Sequence, residues 1–231
     1  MKGPDIPVRD FLANMPMFRG LAPEEIERLA VDTRRVYAAR GETLFNKGDV
    51  AEGFHVVLYG RVKLGFTSPQ GAEKVVEILG PGMSFGEAVM FMERPYPVFA
   101  QAIEDSLLML VPKAVVFAEL DANPRFARKL IAGMAARLHA LVRDVESYSL
   151  RSGTQRVVGF LLAEEQRGEA DAADDGTLSV TLPATKVTIA SRLNLTPEHF
   201  SRILHDLAEA GLIRVEGRVV HVPDLARLRA F

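Results

Sequence analysis

The chain changes its hydrophobic period at Asn123 and Pro124, and that break constrains the fold more than any other feature. Upstream, Gly41, Gly48, Gly53, Gly60, Gly65, Gly71, Gly80, Gly82 and Gly86 punctuate short runs of β-branched and aromatic residues, the spacing of turns between short antiparallel strands. "FHVVLYGRVKLGF" places strand formers on both sides of Gly60. "SPQGAEKVVEIL" supplies a turn and another strand, and "AQAIEDSLLMLVP" a late strand ended by Pro112. Residues 18–115 are expected to form a β-roll or barrel. A short helix at "APEEIERLA" precedes it, with Pro23 in the first turn and Glu24 and Glu25 at the positive end of the dipole.

Downstream, Leu130, Met134, Leu138, Leu141, Val145 and Tyr148 recur at steps of four, four, three, four and three. The mean lies close to the period of about 3.5 of a coiled-coil seam. One long helix is expected, with these residues facing a second copy of the chain and a second edge, Phe126, Ile131 and Val142, facing the roll. The alternative, a stripe that packs only on its own roll, stays open at this level. Beyond the helix, Ala163–Gly176 carries six acids against one arginine with no apolar periodicity, and reads as a solvated loop.

Composition excludes whole classes of function. The chain has 231 residues, enough for two cored domains, and no cysteine, which removes disulfide scaffolds, cysteine nucleophiles, thiolate zinc sites and cysteine-ligated iron–sulfur clusters. No apolar run reaches the length of a membrane span and no basic-then-apolar leader opens the chain, so a cytoplasmic protein without membrane contact is expected. G-x-S-x-G, H-E-x-x-H, a Walker loop and G-x-G-x-x-G are all absent, and an enzyme is the remote alternative. The formal net charge of -2 gives no global sign of nucleic acid. From Thr185 to Phe231, however, seven Lys or Arg stand against five acids, with three histidines.

That stretch carries the sharpest local pattern. A helix is expected from Lys186 to Leu193, capped by Thr185, with Val187, Ile189, Ala190 and Leu193 mostly inward. A turn through Asn194 and Leu195 leads to Thr196 as N-cap and Pro197 at the first position of a second helix that ends at Gly211. Two short valine-rich strands about Glu216 and Gly217 complete a winged helix-turn-helix. On the second helix Phe200, Ile203, Leu204 and Leu207 form the inward stripe, leaving Glu198, Ser201, Arg202 and His205 outward. The N-terminal end of such a helix enters a major groove, where Arg pairs with guanine, Glu accepts from cytosine and Ser does either. The bland reading is a surface Glu-Arg pair worth ~0.3 to 0.5 kcal/mol. Double-stranded DNA is the expected partner, with Thr196, His199, Thr185 and Lys186 beside the reading residues.

With "FGEAV" in the roll, the long helix and "TPEHFSRIL" in the reading helix, the chain resembles the Crp/Fnr family of bacterial transcription regulators over essentially its whole length. The resemblance implies an α+β chain: a cyclic-nucleotide-binding-like antiparallel β-roll over 1–122, a dimerisation helix over 123–151 and a winged helix-turn-helix over 152–231. It implies a homodimer that contacts RNA polymerase. The E-x-x-S-R pattern, here Glu198, Ser201 and Arg202, implies TTGAT-N4-ATCAA palindromes, whereas Pro197 stands where members with a different core carry an arginine.

The effector pocket of the family maps onto Phe85, Gly86, Glu87, Tyr96 and Val98. Cyclic-nucleotide binders follow F-G-E with an Arg-Ser/Thr-Ala segment; here Tyr96, Pro97 and Val98 stand there and Arg94 is displaced. Losing that guanidinium removes the charge-assisted phosphate contact and leaves Glu87 to repel an anion, which argues against cyclic AMP. "EAVMFM" is similar to the Dnr subgroup of heme-dependent nitric oxide sensors that control denitrification genes. That likeness implies heme, for which His55 and His139 are the candidate ligands outside the DNA-binding module. Met90, Phe91 and Met92 read as core. A cyclic-nucleotide-responsive or effector-independent regulator of the same fold remains the alternative.

Overall fold

The computed structural model describes residues 7–15, 18, 21–166, 170–172 and 177–231. The chain divides into two compact units, Met1–His139 and Ala140–Phe231.

In the first unit, α1 (Val8–Asn14) and α2 (Pro23–Val31) precede β1 (Arg34–Ala38), β2 (Thr43–Phe45), β3 (Gly53–Tyr59), β4 (Val62–Thr67), β5 (Glu73–Leu79) and β6 (Ser84–Phe85). Then come α3 (Glu87–Phe91), β7 (Phe99–Ala102), β8 (Ser106–Pro112), α4 (Lys113–Ala122) and α5 (Pro124–Leu150), the last of which runs on into the second unit. The strands form two antiparallel sheets, β1-β8-β3-β6 and β2-β7-β4-β5, the roll expected from the glycine spacing. Gly60 has φ 79°, and a Cβ there would meet the Asp105 carbonyl oxygen at 2.4 Å, so the β3–β4 turn needs glycine. Strand β8 serves two clusters: Leu108 and Val111 join the main core, while Leu107 and Met109 pack with Leu58 in a second small cluster against Val8 and Phe11 of α1.

The segment read as one late strand is two, β7 and β8, and α4 follows where no helix was expected. The run "KAVVFAELDA" is apolar on almost every side, so it carries no 3.6-residue stripe to betray the helix. Asn123 separates α4 from α5 and ties three helices together. Its Oδ1 accepts from the backbone N–H groups of Arg125 (3.1 Å) and Phe126 (3.3 Å), its Nδ2 donates to Glu25 and Glu119, and Arg28 donates to both Glu119 oxygens at 3.0 and 3.2 Å.

Helix α5 corrects the assignment of its two edges. Leu130, expected at a partner, is 3% exposed in its own unit's core beside Phe126, which stacks on Phe18 at 5.8 Å. Positions 126 and 130 are one turn apart and share a face, so both go inward together. Ile131 and Val142, expected against the roll, are exposed with Met134, Leu138, Leu141 and Val145. The side chain of Tyr148 lies outside the described residues.

In the second unit α6 (Gly153–Gln166), β9 (Ala170–Ala172), β10 (Leu178–Thr181), α7 (Lys186–Arg192), α8 (Pro197–Glu209), β11 (Arg214–Glu216), β12 (Val219–Val222) and α9 (Leu225–Arg229) follow in order. One sheet, β11-β12-β10-β9, carries the wing. The acidic stretch read as a loop begins as the last turn of α6 and contains β9, which pairs with β10; residues 167–169 and 173–176 of it lie outside the described residues. Among the described residues, no helix is long and apolar enough to cross a membrane.

Candidate nucleic-acid interface

Local chemistry sets both ends of the reading helix. Thr185 Oγ1 accepts from the N–H of Thr188, capping α7, and Thr196 Oγ1 accepts from the N–H of His199, capping α8, each at 3.2 Å. Between them Asn194 takes φ 56°, a left-handed conformation that Asn tolerates, and Leu195 N–H returns to Ala190 O at 2.9 Å. Phe200, Ile203, Leu204 and Leu207 are buried beneath α8, and Gly211 at φ 67° ends it. Val187 departs from expectation: it is exposed, because Ile189, Ala190 and Leu193 already fill the inward face of α7.

The structure brings the expected reading residues onto one surface. Glu198, His199, Ser201, Arg202 and His205 are all exposed on α8, and Thr185, Lys186 and Thr196 are exposed beside them. Among the described residues Glu198 and Arg202 form no ion pair with each other, so the surface-pair reading has no contact behind it. A groove of about 620 Å³ runs beside this face, lined by Lys186, Ser201, His205 and Arg214 over a floor of Leu204, Ala208, Ile213 and Val215. Arg214 was missed in the sequence because nothing in a three-residue strand marks which way its side chain turns. Arg214 donates to Glu216, which holds that exposed carboxyl below its ordinary range, and His221 Nε2 lies 3.6 Å from the other Glu216 oxygen. His221 Nδ1 in turn lies 2.9 Å from Ser179 Oγ, tying the wing to β10.

The roll holds a different kind of site. Phe85, Glu87 and Tyr96 are buried together, and Val98 is half-buried against the same core. Gly86 caps α3 at φ 97°, with the Tyr96 hydroxyl 3.3 Å from where a Cβ would stand. Tyr96 stacks on Phe45 with ring centroids 3.6 Å apart, and its hydroxyl points at Gly53 O at 3.5 Å. Burial, with Glu87, Glu52 and Asp49 nearby, pushes the phenol up to about 12. Arg94 is exposed and does not join the cluster. Met90 is core as expected, whereas Met92 is exposed.

His55 lies on β3, stacked on Phe85 at 5.1 Å and near Phe45 at 5.9 Å, with Nδ1 buried and without a hydrogen-bond partner among the described residues. Burial pushes its imidazole down to about 4. An axial ligand must present a ring nitrogen to the iron. His55 is 8% exposed with its ring stacked on Phe85, so a group bound at its other ring nitrogen would have to displace that packing. His139 on α5 is exposed. Among the described residues no group of three or more His, Asp or Glu side chains is arranged to hold a metal ion.

Comparison with known proteins accounts for both units. Residues 35–123 match the family model of the cyclic nucleotide-binding domain, and residues 155–231 that of the Crp-like helix-turn-helix domain. The chain is 31% identical to the cyclic AMP receptor protein of Thermus thermophilus over 214 residues, 92% of this chain and 94% of that protein. It is 30% identical to the nitrogen fixation regulation protein FixK of Azorhizobium caulinodans over 236 residues, 97% of this chain and 93% of that one. The crystal structure of DNR from Pseudomonas aeruginosa is similar at 31% identity and a TM-score of 0.53, covering 100% of both chains. A β-roll, a long helix and a capped reading helix with a wing, matched from end to end by transcription regulators, mean that the chain belongs to the Crp/Fnr family.

Proposed function

We propose that the protein is a homodimeric transcription regulator of the cytoplasm that reads TTGAT-N4-ATCAA palindromes, without catalytic activity. The observation that carries the reading is the exposed constellation Glu198, Ser201 and Arg202 on the first two turns of a capped α8. A guanidinium and a carboxylate that form no ion pair among the described residues, on one helix end, suit guanine O6/N7 and a cytosine amino group. An acid that faced only phosphates would be repelled. The exposed apolar stripe Met134, Leu138, Leu141, Val142 and Val145 supports a second copy of the chain along α5. A pair of reading helices must be spaced by ~34 Å to meet two half-sites. RNA polymerase is the proposed partner downstream.

Heme with nitric oxide is the effector we carry from the Dnr-like phrases, with His139 the exposed one of the two candidate ligands. A second reading, regulation without an effector, is favoured by Tyr96, which fills the pocket positions with its own ring stacked on Phe45. The test is fluorescence anisotropy on the palindrome and on a scrambled duplex at fixed salt, using apo protein, protein with heme and nitric oxide, and protein with cyclic AMP. Selective binding only with heme and nitric oxide supports the first reading, and selective binding in every state supports the second. Selectivity that appears only with cyclic AMP would reinstate a cyclic-nucleotide-responsive regulator, and no selectivity in any state removes the base-reading proposal. Leu138→Lys with Leu141→Lys is expected to give monomers with affinity for the palindrome lower by about 10²- to 10⁴-fold, the avidity of the second half-site. A dimer of unchanged affinity would move the interface elsewhere.

A further inference from the structure

Helix α6 approaches the reading apparatus through its first turn. Arg156, half-buried, donates from Nη1 to the carbonyl oxygen of Leu193 at 2.7 Å and to that of Asn194 at 3.2 Å. Leu193 is the C-cap of α7 and Asn194 its left-handed continuation, so these are the carbonyls a helix end leaves without intrahelical partners. A cation is favoured there by the helix dipole as well. Only Leu195 then separates Asn194 from Thr196, the N-cap of α8. One turn earlier on α6, a Cβ at Gly153 would stand 3.1 Å from Ile203 Cδ1 and 3.2 Å from both His199 Cε1 and Leu195 Cδ2. The same stretch of α6 thus touches the turn and the first two turns of α8. The guanidinium is held at the two carbonyls although its buried Nε has no hydrogen-bond partner among the described residues, a cost the arrangement tolerates.

We propose that Arg156 is a positioning residue for base reading: it pins the α7–α8 turn so that Arg202 meets its base already aligned. The inference rests on the proposed base contact of Arg202 and adds a residue that touches no DNA. A bidentate pair with guanine tolerates little displacement, and a turn fixed in advance does not have to be ordered on binding. Arg156 is 46 positions from Arg202 and acts on it only through the backbone of the turn.

A double-mutant cycle tests this. Wild type, Arg156→Met, Arg202→Ala and the double variant are titrated by anisotropy on the palindrome and on a scrambled duplex over a range of salt. Methionine keeps an unbranched aliphatic stem and removes the donors. Arg156→Met is expected to lower the palindrome-to-scrambled affinity ratio about tenfold, with scrambled binding and its salt slope as in wild type. The loss caused by Arg202→Ala is expected to shrink severalfold in the Arg156→Met background. Arg156→Lys, which retains one charged donor, is expected to recover part of the selectivity. An equal loss from Arg202→Ala in both backgrounds overturns the proposal, as does a salt slope shallower by about 0.9, the mark of a direct phosphate contact. If Arg202→Ala costs no selectivity in the wild-type background, the base-reading proposal itself fails and takes this one with it.

Discussion

The two sites of this chain use polar groups in opposite ways. On α8 the charges are exposed, and Glu198 and Arg202 are not spent on each other. In the roll, Tyr96 stacks on Phe45, His55 stacks on Phe85, and Glu87 is buried at the start of α3. An exposed charge costs the fold almost nothing and is free for a partner, whereas an enclosed polar group is part of the packing and is costly to disturb. The exposed surface is therefore replaceable without unfolding, whereas any change at the enclosed groups acts on the stability of their unit.

Substitutions can break that contrast or sharpen it. Tyr96→Ala should have the largest effect on stability, ~3 kcal/mol, because it opens a cavity beside Phe45. Urea unfolding reads this, while the palindrome-to-scrambled ratio under folding conditions should stay as in wild type; a silent Tyr96→Ala would mean that the ring does not hold the roll together. His55 gives the same site a pH dependence. Its folded-state value of about 4 lies below the ordinary histidine value of 6.5, so the unfolded chain binds the proton first as pH falls. Stability is expected to be intact above pH 6.5 and to fall by ~3 kcal/mol between pH 6.5 and 4. Urea midpoints across that window should flatten in His55→Phe, and an unchanged slope would place the acid sensitivity on another group.

The opposite pattern is expected on α8. Arg202→Ala should leave stability within ~0.5 kcal/mol of wild type and lose ~1 to 3 kcal/mol on the guanine-containing half-site alone. Equal weakening on random DNA would reduce Arg202 to a phosphate contact and erase the distinction between the two sites. The smallest expected change is Thr196→Ala, ~1 kcal/mol from the lost cap on the His199 N–H. It should appear in thermal unfolding of the DNA-binding unit, and a cap-neutral result would show that the turn is held chiefly by Arg156.

The reading helix was legible in the chain almost residue for residue, because its signals are local. Thr196 and Pro197 start it, Gly211 stops it, and Phe200, Ile203, Leu204 and Leu207 keep one period throughout. The roll was legible as a class from its glycines, but α4 was not, because an all-round apolar helix has no period to detect. Short β9 was hidden by acids, and Leu130 was assigned outward because a heptad stripe alone does not say which of its first turns its own domain covers. In the roll, the displaced Arg94 was visible in the sequence, but that Tyr96 stacks on Phe45 was not.

The sequence by itself determined the two caps of the helix-turn-helix, the outward set Glu198, Ser201 and Arg202, and the absence of cysteine chemistry. Each depends on residues within a few positions of one another, where backbone preference and hydrogen bonding act without help from the rest of the fold. Tertiary structure alone decided that Arg156 reaches the carbonyls of Leu193 and Asn194, that Leu130 turns inward, and that His55 is sealed against Phe85. Those contacts join residues about thirty or more positions apart or depend on what covers a face, and no local preference encodes a distance that only chain packing closes.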